Sequence, residues 1–322
     1  MSRILTGVQS TGIPHLGNLL GAVIPAVELA EKVENESFLF IADLHSLTQV
    51  KNGKELRDNT FSTAAAWLAC GLNPDKTFFY RQSDISQVTE LSWYLSCFFP
   101  YQRLTLAHSF KDKSENMSDI NAGLFNYPML MAADILLYDA ELVPVGKDQL
   151  QHLEMTRSVA SRFNNLMGDT FILPNPVLQE ESQYVPGIDG NKMSKSKNNT
   201  INIFLSDKDL RKQIMSISTD SASVEDPKNP NNCTVFKLYS LLSSPYEINE
   251  LKNTYLSGGM GYGTAKTILY DSILKKFKVE REKFKYYNSN PNEVYFALKK
   301  GAEKAKNVAD KVLLRVRNKI GY

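Results

Sequence analysis

Two stretches far apart in the chain carry side chains suited to the same task. The first, GVQSTGIPHLGNLLG, runs from Gly7 to Gly21, with glycines at 7, 12, 17 and 21 and with His15 and Asn18 one turn apart around Gly17. Glycines let a backbone turn sharply and let a ligand approach where a Cβ would block it. A helix that starts here presents free N–H groups and the positive end of its dipole, and His15 and Asn18 add side-chain donors, so an anion as large as a triphosphate fits the chemistry. The stretch contains no G-x-G-x-x-G, and the chain contains no G-x-x-x-x-G-K-[ST]. Taken alone it reads equally as a glycine-rich strand-to-helix turn with a capping Asn.

The second stretch is Lys192-Met193-Ser194-Lys195-Ser196 within GIDGNKMSKSKNNT. Two lysines three apart, flanked by hydroxyls and by Gly187 and Gly190, make a cationic arm able to meet charge developing on phosphoryl oxygens. A solvated charged loop has the same composition. A third group sits on a helical pattern: Tyr127, Met131, Asp134 and Tyr138 share one face, so a lone carboxylate stands among flat, polarizable side chains. A buried Asp needs a donor, from the protein or from a ligand.

The elements that must position these residues are legible as alternating apolar runs and helical patterns. Strands are predicted at 4–8, 37–42, 77–80 and 142–145, with a helix over 55–69 closed by Gly71. Pro25 is expected to kink or break the first long helix. Residues 86–166 read as mostly helical, interrupted by a polar loop at 111–121. A helical region over 206–290 is cut by DPKNPNNC and by the glycine run 258–263, and a last helix over 302–319 has an apolar face of Ala305, Ala309, Val312, Val316 and Ile320. The pattern predicts an α/β fold, a Rossmann-type doubly wound parallel sheet with an attached all-helical domain. In such a sheet a ligand lies at the carboxyl ends of the strands. Asp43 and His45 follow the second predicted strand, and Gly146, Lys147, Asp148 and Gln149 follow the fourth, although Asp148 serves equally well as a helix N-cap.

At 322 residues with 43% hydrophobic content, the chain can fill a catalytic core and a smaller attached domain. The start MSRILTGVQSTG lacks an apolar leader and no run is long enough to span a bilayer, so the expected location is cytoplasmic. Cys70, Cys97 and Cys233 suggest neither a disulfide framework nor a zinc site, so any metal is expected to come with substrate. Residues 263–322 carry 15 Lys+Arg and 6 Asp+Glu, a net of +9, which leaves −7 on residues 1–262 of a chain whose total is +2. That asymmetry suits a polyanion meeting the C-terminal part, or simply the exposed faces of amphipathic helices.

KMSKS preceded by an H-x-G-N turn resembles the paired nucleotide-binding motifs of class I aminoacyl-tRNA synthetases. GLFNYPMLMAADILLYDAELVPVGKDQLQH narrows this to a resemblance to bacterial-type tryptophanyl-tRNA synthetases, and the likeness extends through GNLLGA, ADLHSLT, SFKDKS and GAEKAKNVADKV. The resemblance implies that tryptophan is activated with ATP and Mg2+ to tryptophanyl-adenylate and pyrophosphate, then transferred to the 2′-OH of the terminal adenosine of tRNA(Trp), in a homodimer. It implies that Asp134 accepts the indole N–H in a substrate site with Leu5, Gln9, His45, Tyr127, Met131, Val143, Val145 and Gln149. On the ATP side it implies Gln9, Ser10, Thr11, Gly17, Asn18, Gly146, Lys147, Asp148, Met193, Ser194 and Ser196. His15, Asn18, Lys192 and Lys195 would act on the phosphates, with Lys111 a further candidate. It also implies domains at 1–205 (catalytic, with a helical insertion at about 86–140 and the KMSKS loop at 187–200), 206–290 (helical, anticodon-binding) and 291–322 (a C-terminal helix packing back).

Three positions depart from the pattern: Asn18 replaces a second histidine, Ser10 stands where many relatives have proline, and Leu5 where some have an aromatic. The alternatives are a tyrosyl-tRNA synthetase, in which Tyr127 would supply a donor beside the carboxylate, and an RNA-binding protein that has kept the fold without the activity.

Overall fold

The computed structural model describes residues 2–10, 12–32, 35–106, 120–178 and 184–322. Five parallel strands, β1 Ser2–Val8, β2 Asn35–Ile41, β3 Phe78–Arg81, β4 Leu142–Val145 and β5 Asn175–Leu178, form one sheet in the order β3-β2-β1-β4-β5. The chain steps outward from β1 to β3 and then returns to the other side of β1, so the strand order reverses between β1 and β4. Their carboxyl ends flank the crevice where such sheets take ligands. The apolar run Phe38-Leu39-Phe40-Ile41 is buried throughout because both faces of β2 are covered. Leu39 and Ile41 feed one core with Trp67 and Phe79, while Phe38 and Phe40 feed the other with Tyr80 and Leu136.

The fifth strand was not predicted. Its sequence, NPVL, has three exposed residues and a proline, and it survives because an edge strand pairs on one side only.

The first helical segment is α1 Leu16–Asn18, followed by a π-helical turn Leu19–Val23 and α2 Ile24–Ala30. The α-helix is interrupted just ahead of Pro25, although the chain stays helical through it. Pro25 cannot donate to the carbonyl one turn back, and the π turn before it, with Ile24 N–H bonded to the Leu19 carbonyl, carries the helix past that point. Then come α3 Asp43–Ser46 and α4 Gly53–Ala69, the latter capped by the Asn52 side chain and ended at Gly71 with φ 101°. Next are α5 Gln87–Phe98, α6 Tyr101–Leu104, α7 Ala122–Leu136 and α8 Leu150–Met167.

Beyond the KMSKS stretch lie α9 Asp207–Met215, α10 Thr234–Ser240, α11 Pro245–Ser257, α12 Tyr262–Lys276, α13 Lys278–Ser289 and α14 Pro291–Ile320. The apolar core on one sheet face continues without interruption into α9 through α13, through Leu210, Ile214, Leu238, Leu269 and Ile273.

Helix α14 begins earlier than the predicted 302, and Gly301 explains why the pattern hid its first three turns. A glycine ordinarily weakens a helix interior, but a Cβ here would lie 1.8 Å from the Phe79 carbonyl oxygen. The helix therefore presses its backbone onto edge strand β3. Val294, Ala297 and Leu298 join one core before this crossing, and Ala302, Ala305, Ala309, Val312 and Val316 join the other after it. Among the described residues no helix is long and apolar enough to cross a membrane.

Candidate active site

At the carboxyl ends of β1 and β4 lies a cavity of about 370 Å³. It is lined by Leu5 and Gln9 from β1 and the turn beyond it, His45 from α3, Tyr127, Met131 and Asp134 from α7, Val143 and Val145 from β4, and Gln149. The structure thus brings together every residue assigned above to an aromatic substrate. Gly7, Phe40, Ala42, Ile135, Pro144 and Gly146 complete the wall. Gly7 has a packing reason beyond ligand approach: a Cβ there would stand 2.5 Å from the Phe40 ring. A larger groove of about 690 Å³ lies between Phe99, Arg103, Arg157 and Leu166, away from the β1–β4 crevice. Position in the sheet, rather than size, marks the smaller one.

The Asp134 carboxylate is 4% exposed and its donors are protein groups. His45 Nε2 lies 2.9 Å from Oδ2, and Gln82 Nε2 reaches Oδ1 at 2.9 Å and Oδ2 at 2.8 Å. Burial pushes the carboxyl up from its ordinary value, while His45 and then Gln82 pull it back. A carboxylate offers about four lone-pair sites, so one at Oδ1 remains for a further donor. Asp43, also named at a strand end, is turned away. It accepts from Ser83 N at 2.9 Å and Ser83 Oγ at 2.5 Å, which braces α3 against the turn after β3.

Tyr127 lies across the cavity, with its hydroxyl 2.5 Å from His152 Nε2, and His152 Nδ1 faces Gln149 Oε1 at 3.2 Å. The His152 ring, with one donor and one acceptor nitrogen when neutral, thus links the Tyr127 hydroxyl to the Gln149 amide. Burial pushes the Tyr127 phenol up, so it keeps its proton. Tyr138, on the same predicted face, is instead buried against Phe38 and Tyr80.

On the other side of the crevice, His15 caps α1. Its Nδ1 accepts from Asn18 N at 3.2 Å, and Asn18 Oδ1 accepts from His15 N at 3.3 Å. Each side chain therefore keeps its donor, His15 Nε2–H and the Asn18 amide, directed elsewhere. Burial and then the charge of Lys195 lower the His15 pKa from 6.5 to about 4, so the ring is neutral. The KMSKS stretch docks on this helix start. Met193 is buried, with Sδ 3.4 Å from Gly17 N, and Leu16 N donates to the Ile201 carbonyl at 2.8 Å. Lys195 folds back so that Nζ lies 3.4 Å from the place a Cβ would take on Gly12, whose φ is 102°. Desolvation there lowers its pKa.

The two lysines, equivalent by spacing, are not equivalent in space. Lys192 is exposed, and its carbonyl rather than its ammonium is tied in, accepting from Asn199 Nδ2 at 3.1 Å. Ser194 N donates to Asn199 Oδ1 at 2.7 Å, and the Ser194 and Ser196 hydroxyls pair at 2.8 Å.

Ser10 is fully buried and donates its hydroxyl to Ser46 Oγ at 3.0 Å, so its side chain fixes the turn after β1 to α3. The N-cap of α8 is Gln149, not Asp148, which lies in a 3-10 turn at Lys147–Gln149. Lys147 in that turn is exposed. Thr11, Lys111 and the Asp148 side chain lie outside the described residues.

Sequence reasoning missed Gln82, Asn199 and His152. Gln82 had a signal, a polar residue directly beyond a parallel strand. Asn199 and His152 had none, because a single polar residue in a loop or helix forms no pattern.

Comparisons with known proteins agree with this geometry. The model of the family described as tRNA synthetases class I (W and Y) matches residues 1–278. A tryptophan–tRNA ligase of Fusobacterium nucleatum is 45% identical over 322 residues, covering 100% of this chain and 98% of its own length. One from Campylobacter jejuni is 44% identical over 319 residues, 99% of each chain. The crystal structure of the Campylobacter jejuni tryptophanyl-tRNA synthetase complexed with ADP and tryptophan aligns with a TM-score of 0.95 at 44% identity, over 99% of this chain and 100% of that one. The Mycoplasma pneumoniae tryptophanyl-tRNA synthetase aligns with a TM-score of 0.81 at 28% identity, over 100% of this chain and 98% of that one.

Proposed function

The chain belongs to the class I tRNA synthetases of the W and Y family, and from that premise we infer that it is the tryptophan-specific ligase, joining tryptophan to tRNA at the expense of ATP. The observation that carries the choice of amino acid is the state of Asp134: a buried carboxylate in an apolar cavity, bonded by His45 and Gln82, with one acceptor site left. Indole has one donor and no acceptor, so it completes this carboxylate without leaving a polar atom unpaired. A phenol oxygen also needs a donor, and the Tyr127 hydroxyl that the tyrosine reading requires is already engaged with His152.

In the first step the tryptophan carboxylate attacks the α-phosphorus of ATP. The bond to the bridging oxygen breaks, and pyrophosphate leaves with the Mg2+ that entered on the nucleotide. The chain forms no covalent bond; it positions the reactants and meets developing charge. His15, neutral near pH 7, donates from Nε2, Asn18 donates from its amide, and Lys195 brings the positive charge. Lys192 stands exposed and reaches the phosphates by a movement of the KMSKS segment. In the second step a terminal ribose 2′-OH of tRNA attacks the acyl carbon and AMP leaves. The basic residues 263–322 give the tRNA an electrostatic footing on the C-terminal helices. The working form is a cytoplasmic homodimer. Intact His15, Asn18, Lys192 and Lys195 speak against a non-catalytic RNA-binding role.

The test is amino-acid-dependent ATP–pyrophosphate exchange with Mg2+, with tryptophan and tyrosine run side by side. Exchange with tryptophan alone is expected.

A further inference from the structure

Gln82 sits directly beyond β3, is 1% exposed, and bonds at both ends of its amide. Oε1 accepts from Leu44 N at 3.1 Å and His45 N at 3.3 Å, while Nε2 spans the two oxygens of Asp134 at 2.9 Å and 2.8 Å. Backbone N–H groups only donate, so the carbonyl of this amide must face α3 and its NH2 must face Asp134. The same α3 backbone carries His45, whose Nε2 is 2.9 Å from Asp134 Oδ2. One side chain therefore sets both the carboxylate and the histidine beside it.

We infer that Gln82 is a positioning residue for amino-acid selection: it holds Asp134 as a pure acceptor toward the bound aromatic ring and so makes a ring N–H the condition for binding. The inference rests on Asp134 being the indole acceptor. A carboxylate this buried holds its charge only among donors, and Gln82 is the donor that reaches both of its oxygens. Its removal lets Asp134 take up a proton or turn, and a protonated acid presents a donor where the ring presents one too. The effect acts on the ligand's ring nitrogen and leaves the phosphate side untouched, because the Gln82 amide bonds to α3 and to Asp134 rather than to α1 or the KMSKS segment.

The informative variant is Gln82→Glu, which keeps an oxygen facing α3 and places a second oxygen opposite Asp134. Two carboxylates at that distance share a proton. The readout is pyrophosphate exchange by the full-length protein with tryptophan and with its benzothiophene analogue, in which sulfur replaces the ring N–H. The wild type is expected to favour tryptophan by about 10²-fold or more in kcat/KM. In Gln82→Glu that preference should fall to within about 5-fold, with KM for ATP within about 3-fold of wild type. A merely structural role would lower activity with both amino acids alike and leave the preference intact, and that result overturns the inference. Should Gln82→Glu not fold, Gln82→Met, of similar length and unable to donate, must show the same loss of preference; a preserved preference there overturns it equally. A wild type that activates tryptophan but ignores the ring N–H removes the Asp134 premise, and this inference with it. Such a result is distinct from failure at Gln82, where the wild type discriminates and the variants do so equally well.

Discussion

The two sides of the crevice are built on different plans. Around the β1–β4 cavity the polar side chains are bonded to one another: Asp134 to His45 and Gln82, Tyr127 to His152, with Asp43 held by Ser83 behind it. Across the crevice, on the KMSKS side, the backbone anchors are bonded while one charged end lies outside. Asn199 ties Ser194, Lys192 and Asp189 through their backbone or carboxylate, Met193 is buried, and the ammonium of Lys192 stands in solvent. Selection between similar amino acids needs groups already fixed in place, since an unpaired buried polar atom is what rejects the wrong ligand. Stabilising charge that appears only during reaction suits groups carried on a docked loop.

Asp134→Ala separates the two sides most strongly: kcat/KM for tryptophan is expected to fall by on the order of 10³-fold or more, while KM for ATP stays within about 3-fold, measured by pyrophosphate exchange. Equal loss for both substrates would mean that the cavity is not separable from the phosphate side. Next in size is Lys195→Ala, expected to slow adenylate formation by about 10²–10³-fold with little change in tryptophan binding, as for the loss of one preorganised charge. Lys192→Ala should cost less, about 10-fold, because its side chain begins in solvent and is only recruited. Single-turnover adenylate formation ranks the two, and an inverted order would show that the inward pose of Lys195 is not the reactive one.

The smallest effect is on stability. His15 has a folded pKa of about 4 against 6.5 when free, so the unfolded chain binds a proton in that window that the folded chain refuses. Stability is thus lost as pH falls from about 6.5 toward 4, by at most about 1.4 kcal/mol per pH unit from this residue, and is unaffected by it at higher pH. Thermal unfolding of wild type and His15→Asn should therefore differ in slope across that window alone.

Much of this was legible in the sequence. Apolar runs such as Phe38 to Ile41 announce parallel strands because both faces of a doubly wound sheet are buried, and the glycine-rich turn and KMSKS, paired by motif, meet at the start of α1. What escaped was whatever tertiary contact decides. NPVL is a strand only because β4 offers it a partner, Gly301 is tolerated in a helix only because Phe79 lies against it, and Ser10 turns to Ser46 rather than to a ligand. Lys192 and Lys195 are indistinguishable by spacing, and burial separates them. The indole role of Asp134 came from resemblance, since periodicity alone shows a carboxylate in need of a donor and not which donor it takes.

If a fixed acceptor at the switch point selects tryptophan, pyrophosphate exchange run in parallel with the two amino acids shows exchange with tryptophan and none above background with tyrosine. Exchange supported by tyrosine would contradict the assignment of Asp134 while keeping the family, and exchange with neither would contradict the activity itself.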